Sequence, residues 1–373
     1  MVAKDKVLKI DEFFNDRVVV DKRNVGISKN ETNLIINLFQ KSHYLNSFFR
    51  QKQTVLNTLS KIGENFEYDS YKFIYNKKSY CIKINENDDD DFLGKEAKVL
   101  KKIKSKFISP TFFHYENLDM GNKISILLTS FENGTPLSDF SMTDVFYNTK
   151  AIANHLSYLH EITAEGQEAE TQDFISEFFS MVEYDNIFPQ NMLSQLKKQK
   201  PFKNNLKILQ ALKPKILEHS RNLEEDNVCI CHTNLNRSRI LYRDGYFKFS
   251  NFLYSSNLDP FWDIALTIFY LGYSNFPAKE KEFLLQYIEK HKDINMTEEQ
   301  AFTKLSKFKK AAYKLVLMKI MALFLYENML YRDTRPSKYV ELIRVYEGIR
   351  DEFQSEFPSL VAYSDEIFYI YKL

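Results

Sequence analysis

Apolar residues recur at helical spacing from position 34 onward. Leu34, Ile35, Leu38, Phe39, Leu45 and Phe49 follow a candidate N-cap at Asn30 and predict a helical region that runs toward Ile62 and stops at Gly63. The period then changes. Residues 68–75 and 79–84 are rich in Tyr, Phe and Ile and predict two strands joined by the polar turn Asn76-Lys77-Lys78, a β-hairpin. The acidic run 85–91 predicts a solvated loop, and 92–104 has the charge and leucine pattern of an amphipathic helix. Further strands near 111–115 and 124–131 flank the turn Met120-Gly121-Asn122. A small lobe of four or five strands with one helix fits this order. Residues 1–30, including Val18-Val19-Val20, give no assignable element.

Beyond Gly134 the pattern is mostly helical, with helices predicted at 142–162, 171–182, 206–223, 260–272, 279–291, 297–329 and 337–353. A short β-rich insert interrupts them: strands at 228–231, 240–242 and 246–249 surround the turn Arg243-Asp244-Gly245. The expected class is therefore α+β in three parts. An extension spans 1–62 and is helical from about 31; a sheet lobe with one helix spans 63–132; a mainly helical lobe spans 133–373 and carries the insert at 228–251.

Composition narrows the function classes. At 373 residues the chain exceeds what one core usually serves, and 32 Phe with 23 Tyr supply ample surface to bury. The balance of 51 Lys+Arg against 50 Asp+Glu gives no global attraction for nucleic acid or an anionic membrane. Cys81, Cys229 and Cys231 are odd in number and lack a second ligand pair at zinc spacing, which points to a reducing cytosol. The start has no apolar signal core. The most apolar stretch, 315–325, is broken by Lys319 and too short to span a bilayer, so a soluble cytoplasmic protein is expected. There is no G-x-x-x-x-G-K-[ST], H-E-x-x-H, G-x-S-x-G or paired C-x-x-C motif.

Four stretches carry a resemblance. Residues 126–138 read Ile-Leu-Leu-Thr-Ser-Phe-Glu-Asn-Gly-Thr-Pro-Leu-Ser, and 152–160 read Ile-Ala-Asn-His-Leu-Ser-Tyr-Leu-His. Residues 232–241 read His-Thr-Asn-Leu-Asn-Arg-Ser-Arg-Ile-Leu, and 250–265 contain Ser-Asn-Phe followed by Asp-Pro-Phe-Trp-Asp. In this order they resemble the hinge, the following helix, the catalytic loop (usually His-Gly-Asp-Leu-His-Pro-x-Asn-Ile-Leu), the metal-binding segment and the closing Asp-Pro-x-x-Asp of the aminoglycoside phosphotransferase and choline kinase family. The resemblance covers about 63–275. It implies a bilobal protein-kinase-like fold that binds ATP or another nucleotide between its lobes.

Phosphoryl transfer needs a lysine on the phosphates, a glutamate holding it, metal ions, and a carboxylate near the attacking hydroxyl. The resemblance assigns the lysine to Lys83, its partner to Glu96, and hinge contacts to Thr129 and Phe131. The lone Gly63 before the first strand is read as a helix cap, not as a phosphate-covering loop. The base position holds Asn234, an amide that cannot accept a proton at neutral pH. The two metal-binding positions hold Arg239 and Asn251. A guanidinium about 4 Å from Mg²⁺ would repel it by about 8 kcal/mol at an effective dielectric of about 20. Magnesium in the usual geometry is therefore not expected.

Arg239 has two readings: toward the phosphates, where its planar fork would stand in for the ion, or outward to a surface carboxylate. His232 is expected to brace the loop. Asp259 and Asp263 are expected to be architectural, with recruitment as replacement metal ligands as the second reading. The leading expectation is a pseudokinase with a binding or regulatory role toward a protein partner. The alternative is an active ATP-dependent phosphotransferase on a small hydroxylated or amino substrate.

Overall fold

The computed structural model describes residues 27–64, 68–86, 91–103, 107–163, 169–182, 198, 200–292, 294–330 and 336–369. Val18-Val19-Val20 lie outside the described residues. Two compact units emerge. The sheet unit holds the described residues up to Asp139 together with 238–254, and the helical unit holds 140–237 and the remainder from Ser255.

The extension is three helices rather than one continuous region. Helix α1 (Lys29–Lys41) starts at a capping box, in which Ser28 Oγ accepts from the Glu31 N–H and the Ser28 N–H donates to the Glu31 carboxylate. Ser42 ends α1 in an extended conformation and begins α2 (His43–Phe48), its hydroxyl accepting from the Leu45 N–H at 3.1 Å and donating to Glu116 at 2.5 Å. Helix α3 (Lys52–Thr58) follows, and Leu59 is already extended. The predicted helix thus stops short of Gly63. Gly63 lies in β1 (Ser60–Glu64), beside an irregularity in its pairing with β2, and is not a helix cap. The apolar spacing runs on through the break, because each short helix presents its own stripe to the same sheet.

That sheet contains β1, β2 (Asp69–Tyr75), β3 (Lys78–Asn85), β4 (Phe112–Asp119) and β5 (Lys123–Ser130), ordered β1-β2-β3-β5-β4 with antiparallel neighbours. The β2–β3 hairpin turns on Asn76 and Lys77, both with positive φ (49° and 61°), which matches the right-handed twist of the strands. Alternation divides the sheet faces. Tyr71, Phe73, Ile82, Ile84, Ile126 and Leu128 pack on Ile35, Leu38, Phe39, Leu45, Phe49 and Val55 of the extension. Each such side chain contributes about 1.5–3 kcal/mol when fully buried. On the other face lie Ser70, Lys72, Cys81, Lys83 and Thr129. Helix α4 (Phe92–Ile103) follows β3 and buries Leu93, Glu96, Ala97 and Leu100. A second sheet in this unit joins β6 (Thr135–Pro136) to a hairpin formed by two strands from far along the chain.

In the helical unit the predicted 142–162 helix is divided at Asn148 into α5 (Met142–Tyr147) and α6 (Thr149–Thr163). The Asn148 amide donates to the Asp144 carbonyl at 2.8 Å and so closes the first segment. Helices α7 (Thr171–Val182) and α8 (Lys200–Arg221) lead to β7 (Cys229–Cys231). The chain then enters the sheet unit as β8 (Ile240–Arg243) and β9 (Tyr246–Phe249), which complete the β6-β8-β9 sheet, and returns as β10 (Ser256–Leu258), paired with β7. Helix α9 (Pro260–Tyr270) is buried along its whole length, with Asp259 as N-cap and Pro260 in the first turn. Helices α10 (Pro277–Lys290), α11 (Glu298–Leu330), α12 (Pro336–Glu356) and α13 (Pro358–Tyr369) complete the unit. Among the described residues no helix is long and apolar enough to cross a membrane.

Candidate functional site

The sheet unit holds an open cavity of about 590 Å³. Its walls come from β1–β3 and β5 (Ile62, Ser70, Lys72, Cys81, Lys83, Thr129), Tyr68 just before β2, the segment after β5, and the β8–β9 region, including Arg239, Leu241 and Asn251. Strand alternation places Cys81 and Lys83 on the cavity side of β3, and helical spacing places Glu96 on the face of α4 toward it.

Lys83 and Glu96 meet. The Lys83 ammonium donates to both Glu96 oxygens, at 2.9 and 2.6 Å, and to the Tyr68 hydroxyl at 3.3 Å, while the Tyr68 ring lies 4.5 Å below it. Burial works against the charged lysine, but the Glu96 carboxylate outweighs it and raises the Lys83 pKa above its usual value. Glu96 also accepts from the Phe252 N–H at 3.3 Å, so it joins α4 to the segment after β9. Burial lifts the neighbouring Cys81 thiol to about 11, leaving it protonated at neutral pH.

The remaining predicted nucleotide contacts also line this cavity. Thr129 is on β5, and the Phe131 N–H donates to the Ser79 carbonyl at 3.0 Å while its ring carries the Lys72 ammonium at 4.2 Å. Arg239 is not at the surface: it is 1% exposed, its guanidinium lies 5.9 Å from the Tyr254 ring, and one of its nitrogens reaches the Asn251 carbonyl at 3.5 Å. Asn251 has a left-handed backbone (φ 63°), and its buried Oδ1 has no hydrogen-bond partner among the described residues.

The cavity's carboxylates are committed elsewhere. Glu96 holds Lys83, Glu132 accepts from Lys248 at 2.6 Å and from Ser130 at 2.5 Å, and Asp244 accepts from Arg243 at 3.2 Å. Beside these carboxylates the wall carries the Asn251 amide and the Arg239 and Lys72 cations.

The predicted catalytic loop lies in the helical unit and is held by Asp263. This buried carboxylate accepts from the His232 N–H at 2.5 Å, the Thr233 N–H at 2.6 Å and His160 Nε2 at 3.1 Å, and the other His160 nitrogen meets the Tyr287 hydroxyl at 2.7 Å. The hydrogen bonds keep Thr233 at φ 61°, a conformation that costs a β-branched residue about 1–2 kcal/mol. His232 is fully buried. Asp259 caps α9 through the Phe261 N–H at 3.0 Å and accepts from Lys304 at 2.8 Å, with burial raising its pKa despite these donors. Both aspartates thus have architectural contacts.

Asn234 is 1% exposed, and its Oδ1 accepts from the buried Lys319 ammonium at 2.7 Å, which also meets the Tyr270 hydroxyl at 3.1 Å. Sequence reasoning missed Lys319 as a site residue. The available signal was a lone lysine inside the apolar stretch 315–325, on what is now the buried side of α11.

No family model and no curated sequence matches the chain. Solved structures do. An ethanolamine kinase from Plasmodium vivax superposes with a TM-score of 0.58 at 17% identity, covering 92% of this chain and 95% of that one. An amicoumacin kinase in complex with AMP-PNP and Ca²⁺ superposes with a TM-score of 0.51 at 12% identity, covering 85% and 96%. The chain has the kinase-like fold of these small-molecule kinases.

Proposed function

We propose that this protein is a pseudokinase that binds a nucleotide in the sheet-unit cavity and acts through interaction with a protein partner. The observation that carries the reading is the Lys83–Glu96 pair, doubly hydrogen-bonded on the wall of a cavity of about 590 Å³. Such a pair positions a lysine on phosphates in kinases, and a protein of the same fold was solved with AMP-PNP. Loss of phosphoryl transfer follows from Asn234, whose amide oxygen faces a lysine and takes no proton. Arg239 and Asn251 leave the cavity without an acid for Mg²⁺ at the two positions where the resemblance expects metal ligands, and the other wall carboxylates are engaged. The three cysteines are free thiols, which suits the cytoplasm as its compartment.

The test is titration calorimetry with ATP in the presence of Mg²⁺ and of a chelator, beside turnover assays on a pool of small hydroxylated and amino compounds. Binding that survives chelation, disappears in Lys83→Ala and brings no turnover is the expected result. Robust Mg²⁺-dependent turnover that Lys83→Ala abolishes and Asn234→Ala leaves intact would replace the pseudokinase with an active phosphotransferase.

A further inference from the structure

The extension and the cavity share one pair of strands. Among the described residues β1 is an edge strand with a ladder on one side only, and its pairing with β2 is irregular between Lys61 and Gly63. Its position therefore depends on side chains more than that of the inner strands. Glu31, in the first turn of α1, supplies them. One carboxylate oxygen takes the Ser28 N–H at 2.8 Å and completes the capping box. The other accepts from Lys61 of β1 at 2.7 Å and from the Tyr71 hydroxyl of β2 at 3.3 Å. Asp69 closes the group, 3.2 Å from the Lys61 ammonium and 3.3 Å from the same Tyr71 hydroxyl.

Strand alternation gives this cluster its reach. Lys61, Asp69 and Tyr71 are interleaved with Ile62, Tyr68 and Ser70, which line the cavity, and Tyr68 itself touches Lys83. One helix terminus is thereby tied to the strands that wall the ligand space. We propose that Glu31 is a positioning residue for the cavity: it fixes β1 and β2 against α1, so that ligand occupancy and docking of the extension are linked. The link is reciprocal, because a helix that favours the binding-competent wall is itself favoured by the ligand. This inference rests on the nucleotide reading of the cavity.

The experiment uses the full chain, ATP as probe, and hydrogen exchange beside calorimetry. Glu31→Gln is the variant of choice, because Gln still serves a capping box but carries no charge for Lys61. In the wild type, ATP should slow exchange at 60–64 and 68–72 and also in 29–41. Glu31→Gln should weaken ATP binding roughly 5- to 10-fold and abolish the ATP-dependent protection of 29–41, with its melting cooperativity retained. Lys61→Met should reproduce both effects, and the double variant should add nothing further. ATP binding of unchanged strength in Glu31→Gln, with protection of 29–41 intact, overturns the inference and leaves the nucleotide reading standing. A wild type that does not bind ATP overturns both.

Discussion

Lys83 in the sheet unit and Lys319 in the helical unit each face a side-chain oxygen, and the two acceptors differ in charge. In the sheet unit Lys83 meets the carboxylate of Glu96 at 2.6 Å; in the helical unit Lys319 meets the amide of Asn234 at 2.7 Å. The geometries are nearly equal. The first acceptor carries a charge that offsets the lysine, and the second orients itself by the lysine without being able to take a proton. Acids that brace the fold remain acids: Glu96 links α4 to the Phe252 backbone, Asp263 collects two N–H groups, and Asp259 caps α9. Amides stand at Asn234 and Asn251, where the resemblance places chemistry rather than support.

The strongest way to break this contrast is Glu96→Ala, which strands the Lys83 ammonium in the interior. It should destabilise the protein by about 3–5 kcal/mol in denaturant unfolding. A cost below about 1 kcal/mol would show that the pair is not structural. Asp263→Asn comes next, because it keeps one acceptor oxygen but loses the charge that serves three donors. A loss of about 2–3 kcal/mol is expected by the same measurement.

Asn234→Asp sharpens the comparison by making the two lysine pairs alike. The new carboxylate should be held ionised by Lys319 and add about 1 kcal/mol of stability. On the pseudokinase reading neither the wild type nor this variant turns over ATP, since Arg239 and Asn251 are unchanged; turnover in the variant alone would mean that the amide at 234 is what decides activity.

The smallest effect concerns Glu31, whose carboxyl lies at about 2 although burial opposes its ionisation, because Lys61 and Ser28 hold it charged. A group with a depressed folded pKa takes up fewer protons folded than unfolded, so its stabilisation is complete above the ordinary value of 4.5 and fades as pH falls toward 2. Allowing for solvent screening, that contribution is about 1 kcal/mol. Glu31→Gln should flatten this part of the stability-versus-pH curve, and an unchanged slope between pH 4.5 and 2 would remove Glu31 from the account.

Much of the sheet unit was legible in the sequence because its cues are local. Period-two apolar residues around Asn76-Lys77 reveal a hairpin, and the resemblance then attaches roles to Lys83 and Glu96. The break at Ser42 was not legible, since its hydroxyl is committed to Glu116, 74 residues away, and the apolar period passes through it undisturbed. β1 was hidden for a related reason: Ser60-Lys-Ile-Gly-Glu shows no alternation, and an edge strand needs little. The direction of Arg239 and the partner of Lys319 depend on tertiary packing, and only the apolar run around Lys319 hints at burial. Thr233 gave no sign of its left-handed backbone, which Asp263 imposes from 30 residues away.

The membership of residues 238–254 in the sheet unit has a consequence for how the protein is made. During synthesis the five-stranded sheet and its covering helices emerge long before the β8–β9 hairpin, so the cavity stays open on one side until Tyr254 has emerged from the ribosome. A fragment ending at Asp139 would expose Lys83 and Glu96 without Arg239, Leu241 or Asn251 beside them. Expression of the sheet unit as a contiguous piece should therefore yield an unfinished vessel, and a faithful minimal version would need the hairpin grafted back by a linker.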